Sequence, residues 1–179
     1  MTPPLELSLT LYPDPLLRQV AEPVAAFDEE LRELVAAMHE RMHKSKGVGL
    51  AAPQVGLKRR ILVLNPTGEP QDGLTLINPT IVSRSGQPTL FDEGCLSFPG
   101  IYAEIRRPER CSVRAYDVEG LPIEAEHSGF VSRILQHEYD HLEGVLLVDR
   151  MSPADKLRNR AALEELVARY KRSAPAPSR

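Results

Sequence analysis

The sequence predicts an α+β fold: antiparallel strands and hairpins packed around a central helix whose His137 and His141, four residues apart, read as metal-binding, with an N-terminal and a C-terminal helix beside them. Three observations predict it. Helical apolar spacing is confined to a stretch near residue 30 and to the chain beyond Ser128. Between residues 60 and 127 the texture changes to short β-rich runs broken by Asn-Pro and turn residues. Strands and helices do not alternate as βαβ units would.

The elements follow in order. After a Pro-rich start, "FDEELRELVAAMHERMHKSKG" sets Leu31, Leu34, Val35, Met38 and Met42 at helical spacing, with Asp28 as N-cap and Gly47 just beyond the end. The runs "RRILVLN", "LTLINPTIV" and "CSVRAYD" before "LPIEAEH", joined through the turn "DVEG", read as strands and hairpins. "SGFVSRILQHEYDHLEG" returns to helix, starting near Ser128 and stopping at Gly144. One last helix is expected over "SPADKLRNRAALEELVARY", with Ser152 as N-cap, Pro153 in the first turn and Asp155 at the capping-box position. Residues 1–172 form a single expected domain, and residues 173–179 an expected disordered tail. There is no internal repeat.

A chain of 179 residues, 42% hydrophobic and 26% charged, has the size and composition of one globular domain with its own core. Its longest apolar runs fall far short of the ~20 residues that span a bilayer, and "MTPPLELSLT" lacks the basic-then-apolar order of a signal peptide. No membrane contact and a cytoplasmic location are therefore expected. Two cysteines make no disulfide framework, so each is a core thiol, a nucleophile or a ligand. The net charge of −3 is unevenly spread: residues 155–179 hold seven Lys/Arg against three Asp/Glu, leaving that end net +4 and the remainder −7. Such an end suits contact with something anionic.

Two stretches share the pattern HExxH, "HERMH" at 39–43 and "HEYDH" at 137–141. Histidines four apart on a helix lie about 40° apart, so both imidazoles can reach one ion. The faces differ. His39 and His43 sit roughly 80–120° from the centre of their apolar stripe, and Glu40 points to solvent. His137 and His141 share a sector with Phe130 and Ile134, and Glu138 is flanked by Val131 and Leu142. Burying two imidazoles and a carboxylate without partners is costly, and a metal with a bound water would compensate them. The plainer alternative is a pair of hydrogen-bonded core histidines beside a structural Glu.

A catalytic metal takes three protein ligands and keeps one open position. The metzincin extension fails because Leu147 stands where its third histidine belongs. Glu164, the nearest downstream carboxylate for a zincin of the other kind, lies on the polar side of the last helix. Cys111 alternates with Val113 and Ala115 along a strand and reads as core. Cys95, in the turn-like "DEGCLSFPG", has no such periodicity. A thiolate and two imidazoles with a buried Glu leave one position for a water that the metal acidifies. "GVGLAAPQVG" is a poor phosphate loop, lacking the third glycine of GxGxxG, but its glycines suit close backbone approach by a ligand. Gln54 reads equally as a donor to a developing oxyanion or as solvent-facing.

Three segments in order, "GVGLAAPQ" (47–54), "EGCLS" (93–97) and "QHEYDH" (136–141), resemble the peptide deformylase family. The resemblance covers roughly residues 5–170. It implies hydrolysis of the formyl group from the N-terminal formylmethionine of new polypeptides, usually with Fe²⁺; Zn²⁺, Ni²⁺ and Co²⁺ accept the same ligand set. By motif, it implies Cys95, His137 and His141 as ligands, Glu138 as general acid/base, and Gln54 with the Leu96 backbone N–H as oxyanion partners. It further implies Val48 and Gly49 pairing with the substrate backbone as an added strand, and Phe130 and Ile134, also placed by the helix wheel, lining a methionine pocket. One departure stands out: five positions after "EGCLS" the enteric family member has an Arg that helps hold the peptide, and here that place is Tyr102. How the peptide beyond the methionine is held is thereby left open. A ribosome contact through the basic C-terminal segment is a further expectation. The competing readings are a zinc peptidase on the same helix and a structural Cys/His metal domain closed by a fourth ligand, for which only Cys111 offers itself.

Overall fold

The structure, a computed structural model, describes residues 5–173. Helix α1 (Glu29–Lys44) opens on Asp28, whose carboxylate accepts a hydrogen bond from the Leu31 N–H at 3.1 Å, and it buries the expected stripe of Leu31, Leu34, Val35, Met38 and Met42. At its far end the Gly47 N–H bonds the Met42 carbonyl at 3.0 Å, while the left-handed position falls on Lys46, with φ of 56°. Gly47 serves instead for close packing, since a Cβ there would lie 2.7 Å from the Leu96 side chain.

Five strands follow as an antiparallel meander: β1 (Gly49–Ala51), β2 (Ile61–Leu64), β3 (Leu74–Cys95), β4 (Phe98–Tyr116) and β5 (Pro122–Ser128). Strand β2 is apolar at every position because it is covered on both faces. Its Ile61 and Val63 pack with α1, and its Leu62 and Leu64 pack with α2 (Gly129–Leu142). The segment "GVGLAAPQVG" contains β1, which pairs with β2 through Gly49 opposite Leu64 and leaves its other edge at the border of the sheet. Strand β3 runs well past the β-rich run that predicts it, through "GQPTLFDEGC", where most side chains are exposed. There its partner β4 supplies the buried face through Ile101, Ala103 and Ile105. The β3–β4 hairpin turns at Leu96 and Ser97, so Cys95 is the last residue of a strand and only its successors form the turn.

The single C-terminal helix expected from sequence is not found. The chain forms α3 (Leu147–Arg150), α4 (Pro153–Arg158) and α5 (Arg160–Ser173). Ser152 caps α4 as expected, its hydroxyl accepting from the Asp155 N–H at 3.1 Å. The break falls at Asn159, whose side-chain amide donates to the carbonyls of Tyr102 at 2.9 Å and Asp155 at 3.0 Å. A side chain tied to a distant strand overrides the helical periodicity on either side. Leu163 and Leu166 of α5 then join Phe98, Ile101 and Leu147 in a core cluster at this end of the molecule. Ser173 closes α5, and the rest of the expected disordered tail, 174–179, lies outside the described residues. Among the described residues no helix is long and apolar enough to cross a membrane.

Candidate metal centre

Helix α2 passes through the middle of the fold with charged and polar side chains buried along it, among them His137, Glu138, Asp140 and His141. The tip of β3 brings Cys95 against this helix, with Sγ 3.3 Å from His141 Nε2. Donor atoms of Cys95, His137 and His141 all lie within 4.8 Å of one another, so the three could hold one metal ion. They form the only such cluster among the described residues.

The donors fit a metal on the chemistry of their surroundings. His137 Nδ1 donates to Glu93 Oε2 at 3.0 Å, which fixes the tautomer and leaves the Nε2 lone pair for a ligand. His141 Nδ1 and Glu138 Oε2 are buried with no hydrogen-bond partner among the described residues. Thiolate and imidazole are the donors that zinc and the later first-row ions, and ferrous iron, accept. Cys111 does not come near: its thiol is buried on β4 and takes a hydrogen bond from the Ser132 hydroxyl at 3.3 Å. Glu164 is exposed and paired with Arg160 at 2.8 Å. The closed four-ligand sphere of a structural site is therefore not assembled.

The first HExxH copy lies elsewhere. His39 is half-buried, with Nε2 2.9 Å from the Thr75 hydroxyl, and His43 and Glu40 are exposed, Glu40 pairing with Lys44.

Electrostatics separate the groups. Burial pushes the Glu138 carboxyl up to about 7, against the opposing pull of His137 and Arg107. Burial, and then the neighbouring His137, hold His141 well below the usual imidazole value. Burial acts on His137 in the same direction, but its bonds to Cys95 and Glu93 outweigh it and raise that ring. The two rings are thus shifted in opposite directions, and His141 is the one held neutral.

Around this cluster lies a buried ion network that sequence reasoning did not foresee. Arg107 grips Glu93 with two bonds of 2.8 and 3.0 Å and reaches Asp140 at 2.8 Å. Arg133 adds a bond of 2.7 Å to Glu93, and Arg150 closes on Asp140 at 2.6 Å. Burial opposes the charge on Glu93, yet bonds from His137 and Arg107 outweigh it and bring its carboxyl down to about 2. A signal was present: Arg107 occupies the inward phase of β4 shared by Ile101, Ala103 and Ile105, where a charge demands a partner.

Gln54 is buried, which decides between its two readings against solvent. Its Oε1 accepts from the Ala51 N–H at 2.8 Å, so the amide NH₂ faces the cluster, 3.5 Å from Cys95 Sγ and 3.4 Å from Ser97 Oγ. The Leu96 N–H and the Val48 N–H have no hydrogen-bond partner among the described residues, whereas the Val48 carbonyl accepts from the Asn65 N–H at 2.9 Å. Gly49 lies so near the centre that a Cβ there would stand 2.5 Å from Glu138 Oε1 and 2.7 Å from Ile134 Cγ2. A cavity of about 720 Å³ opens from this point to solvent, lined by Gly47 to Gly49, Cys95, Ile134 and Glu138. Ile134 is buried in its wall, while Phe130, at the first turn of α2, is 45% exposed at the rim beside Phe91.

Three soft-to-borderline donors beside an unpartnered buried carboxylate, at the floor of an open cleft, have the chemistry of a single-metal hydrolase. The family profile described as polypeptide deformylase matches residues 7–157, and the chain belongs to that family. It is 47% identical over 174 residues to a chloroplastic/mitochondrial peptide deformylase 1B of Arabidopsis thaliana, covering 96% of this chain and 64% of the relative. Over 164 residues it is 42% identical to the peptide deformylase of Thermotoga maritima, covering 92% of this chain and 98% of the relative. The chain thus spans a little under two thirds of the plant relative and nearly all of the bacterial one. Among solved structures, a Plasmodium falciparum peptide deformylase superposes with a TM-score of 0.92 at 41% identity, covering 94% of this chain and all of that one. A plant peptide deformylase superposes at 0.90 and 45% identity, covering 100% of this chain and 98% of that one.

Proposed function

We propose that this chain is a peptide deformylase: it hydrolyses the formyl group from the N-terminal formylmethionine of newly made polypeptides, releasing formate. The observation that carries the reading is Glu138, a buried carboxylate with one oxygen unpartnered, set beside Cys95, His137 and His141 at the floor of the cleft. A divalent ion held by those three, Fe²⁺ by kinship and Zn²⁺, Ni²⁺ or Co²⁺ by the same donor chemistry, would supply Lewis acidity to a water and to the formyl oxygen.

The chain's own residues do the rest. Glu138 takes a proton from the attacking water as its oxygen bonds to the formyl carbon, then gives the proton to the nitrogen as the C–N bond breaks. The Gln54 amide and the Leu96 N–H donate to the oxygen that gains charge in the transition state. The unpartnered Val48 N–H and the open edge of β1 at Gly49 receive the substrate backbone as an added strand. Ile134 and the rim residue Phe130 supply the apolar wall for methionine.

Residues 1–172 act as one catalytic domain on this reading. The cytoplasm is its compartment, although kinship does not assign it, two plant relatives being named for organelles. The basic C-terminal segment is a ribosome contact of modest strength. Arg158, Arg160, Arg169 and Arg172 are paired with acids of their own helices, leaving Lys156 and Lys171 without an ion pair among the described residues. Neutralising Arg169, Lys171 and Arg172 should weaken ribosome co-sedimentation more at low than at high salt. The activity itself is tested by anaerobic purification, metal analysis and formate release. Formyl-Met peptides should yield formate, and cleavage of unformylated peptides instead would indicate a peptidase.

A further inference from the structure

We propose that the cleft wall formed by Arg41 and Lys46 selects acidic side chains in the polypeptide beyond the formylmethionine. This rests on the deformylase reading and names a substrate preference within it.

The direction of the cleft is set by the glycines. Gly49 touches Glu138 and Ile134, so the formyl end of a substrate belongs there, while Gly47 packs on Leu96 and Lys46 comes next along the wall. From Gly49 back to Lys46 is three residues, at most roughly 10 Å of chain. A substrate strand leaving the centre along this edge brings its second or third residue past the methionine level with Lys46 and Arg41. Both residues line the cavity, and neither forms an ion pair among the described residues. Lys44 beside them is already paired with Glu40 at 2.6 Å. The Arg41 Nε is buried without a hydrogen-bond partner. Lys46 is held in place by its own turn, its N–H bonding the His43 carbonyl at 2.9 Å while Gly47 bonds Met42.

The opposite wall offsets this charge only in part: it carries one carboxylate, Asp92, beside Tyr102, and the guanidinium of Arg133 there is taken up by Glu93, Thr89 and Ile105. An acidic side chain on the α1 side therefore meets two cations without a partner. A basic one meets repulsion, and charge juxtaposition of this kind sets specificity more than overall affinity.

The test uses the metal-loaded full chain and three amidated peptides: formyl-Met-Ala-Asp-Asp-amide and its Asn-Asn and Lys-Lys counterparts. In low salt kcat/KM for the Asp peptide should exceed that for the Asn peptide by about threefold to tenfold, the range for two partly exposed charge contacts. The Lys peptide should be poorest. The ratio should fall toward one in Arg41→Gln/Lys46→Gln, invert in Arg41→Glu/Lys46→Glu, and shrink in high salt. Equal kcat/KM for Asp and Asn peptides in the unaltered chain would overturn the proposal while leaving the activity intact. A ratio indifferent to both variants would also overturn it. Formate released from none of the peptides would overturn the activity and this preference together.

Discussion

Glu93 Oε2 accepts a hydrogen bond from His137 Nδ1 at 3.0 Å, so a carboxylate at the end of β3 orients a ring on α2. The same carboxylate neutralises Arg107 and Arg133. Glu93→Gln should therefore fail twice: Arg133 loses its ion-pair partner and Arg107 keeps only Asp140, at a cost of about 3–5 kcal/mol, and metal affinity falls about 10–100-fold as the ring loses its carboxylate partner. Urea unfolding and metal titration of the variant check both. Wild-type values in each would show that Glu93 neither orients His137 nor balances the arginines.

Glu138→Gln keeps the shape of the side chain but cannot accept the water's proton. Turnover should fall by about 10²–10⁴ while metal content holds near one ion per chain. Because the carboxylate is buried with an unpartnered oxygen, the variant should melt no lower than the parent. Metal stoichiometry, melting temperature and formate release on one anaerobic preparation decide the matter. Metal lost along with activity would make Glu138 a ligand.

The two cysteines should part company. Cys95→Ala removes a donor from the cluster and should abolish metal retention and activity; Cys111→Ala removes only a core thiol bonded to Ser132 and should leave both largely intact. Elemental analysis of the two variants is sufficient. Equal metal content in the parent and in Cys95→Ala would refute the assignment.

His39 and His43 lie outside the centre, so replacing both with Gln should leave metal content and turnover close to the parent. Stability should respond to pH. Burial, then His43, lower the His39 pKa below the usual 6.5, so below that pH the unfolded chain binds more protons than the folded one and stability declines as pH falls. Melting temperatures between pH 7 and pH 5 should drop less in the double variant than in the parent. Parallel curves would mean that His39 titrates alike in both states.

Much of the site was legible because it is local. Two imidazoles one helical turn apart, Glu138 between apolar neighbours, and the stripe of α1 are all consequences of the 3.6-residue period, which sequence displays directly. Cys95 stood out because it had no periodicity to account for it, and Cys111 because it had one. The pieces that escaped depend on chain segments meeting from far apart. The outer half of β3 has no apolar pattern of its own and is a strand because β4 pairs with it. Asn159 ends a helix because the Tyr102 carbonyl is within reach.

The sequence by itself determined the fold class, the buried face of each main helix, and a set of donors at spacings one ion could share, since backbone periodicity and side-chain chemistry are properties of the chain. Only the tertiary structure decided which HExxH copy faces a cysteine, that Gln54 turns its amide inward, and that Glu93, Arg107, Arg133 and Asp140 form one network. It also decided that Arg41 and Lys46 share a cleft with Gly49. Several of these are relations between residues forty or more positions apart, and their energies depend on distance and on exclusion of water, which exist only once the sheet has closed around α2.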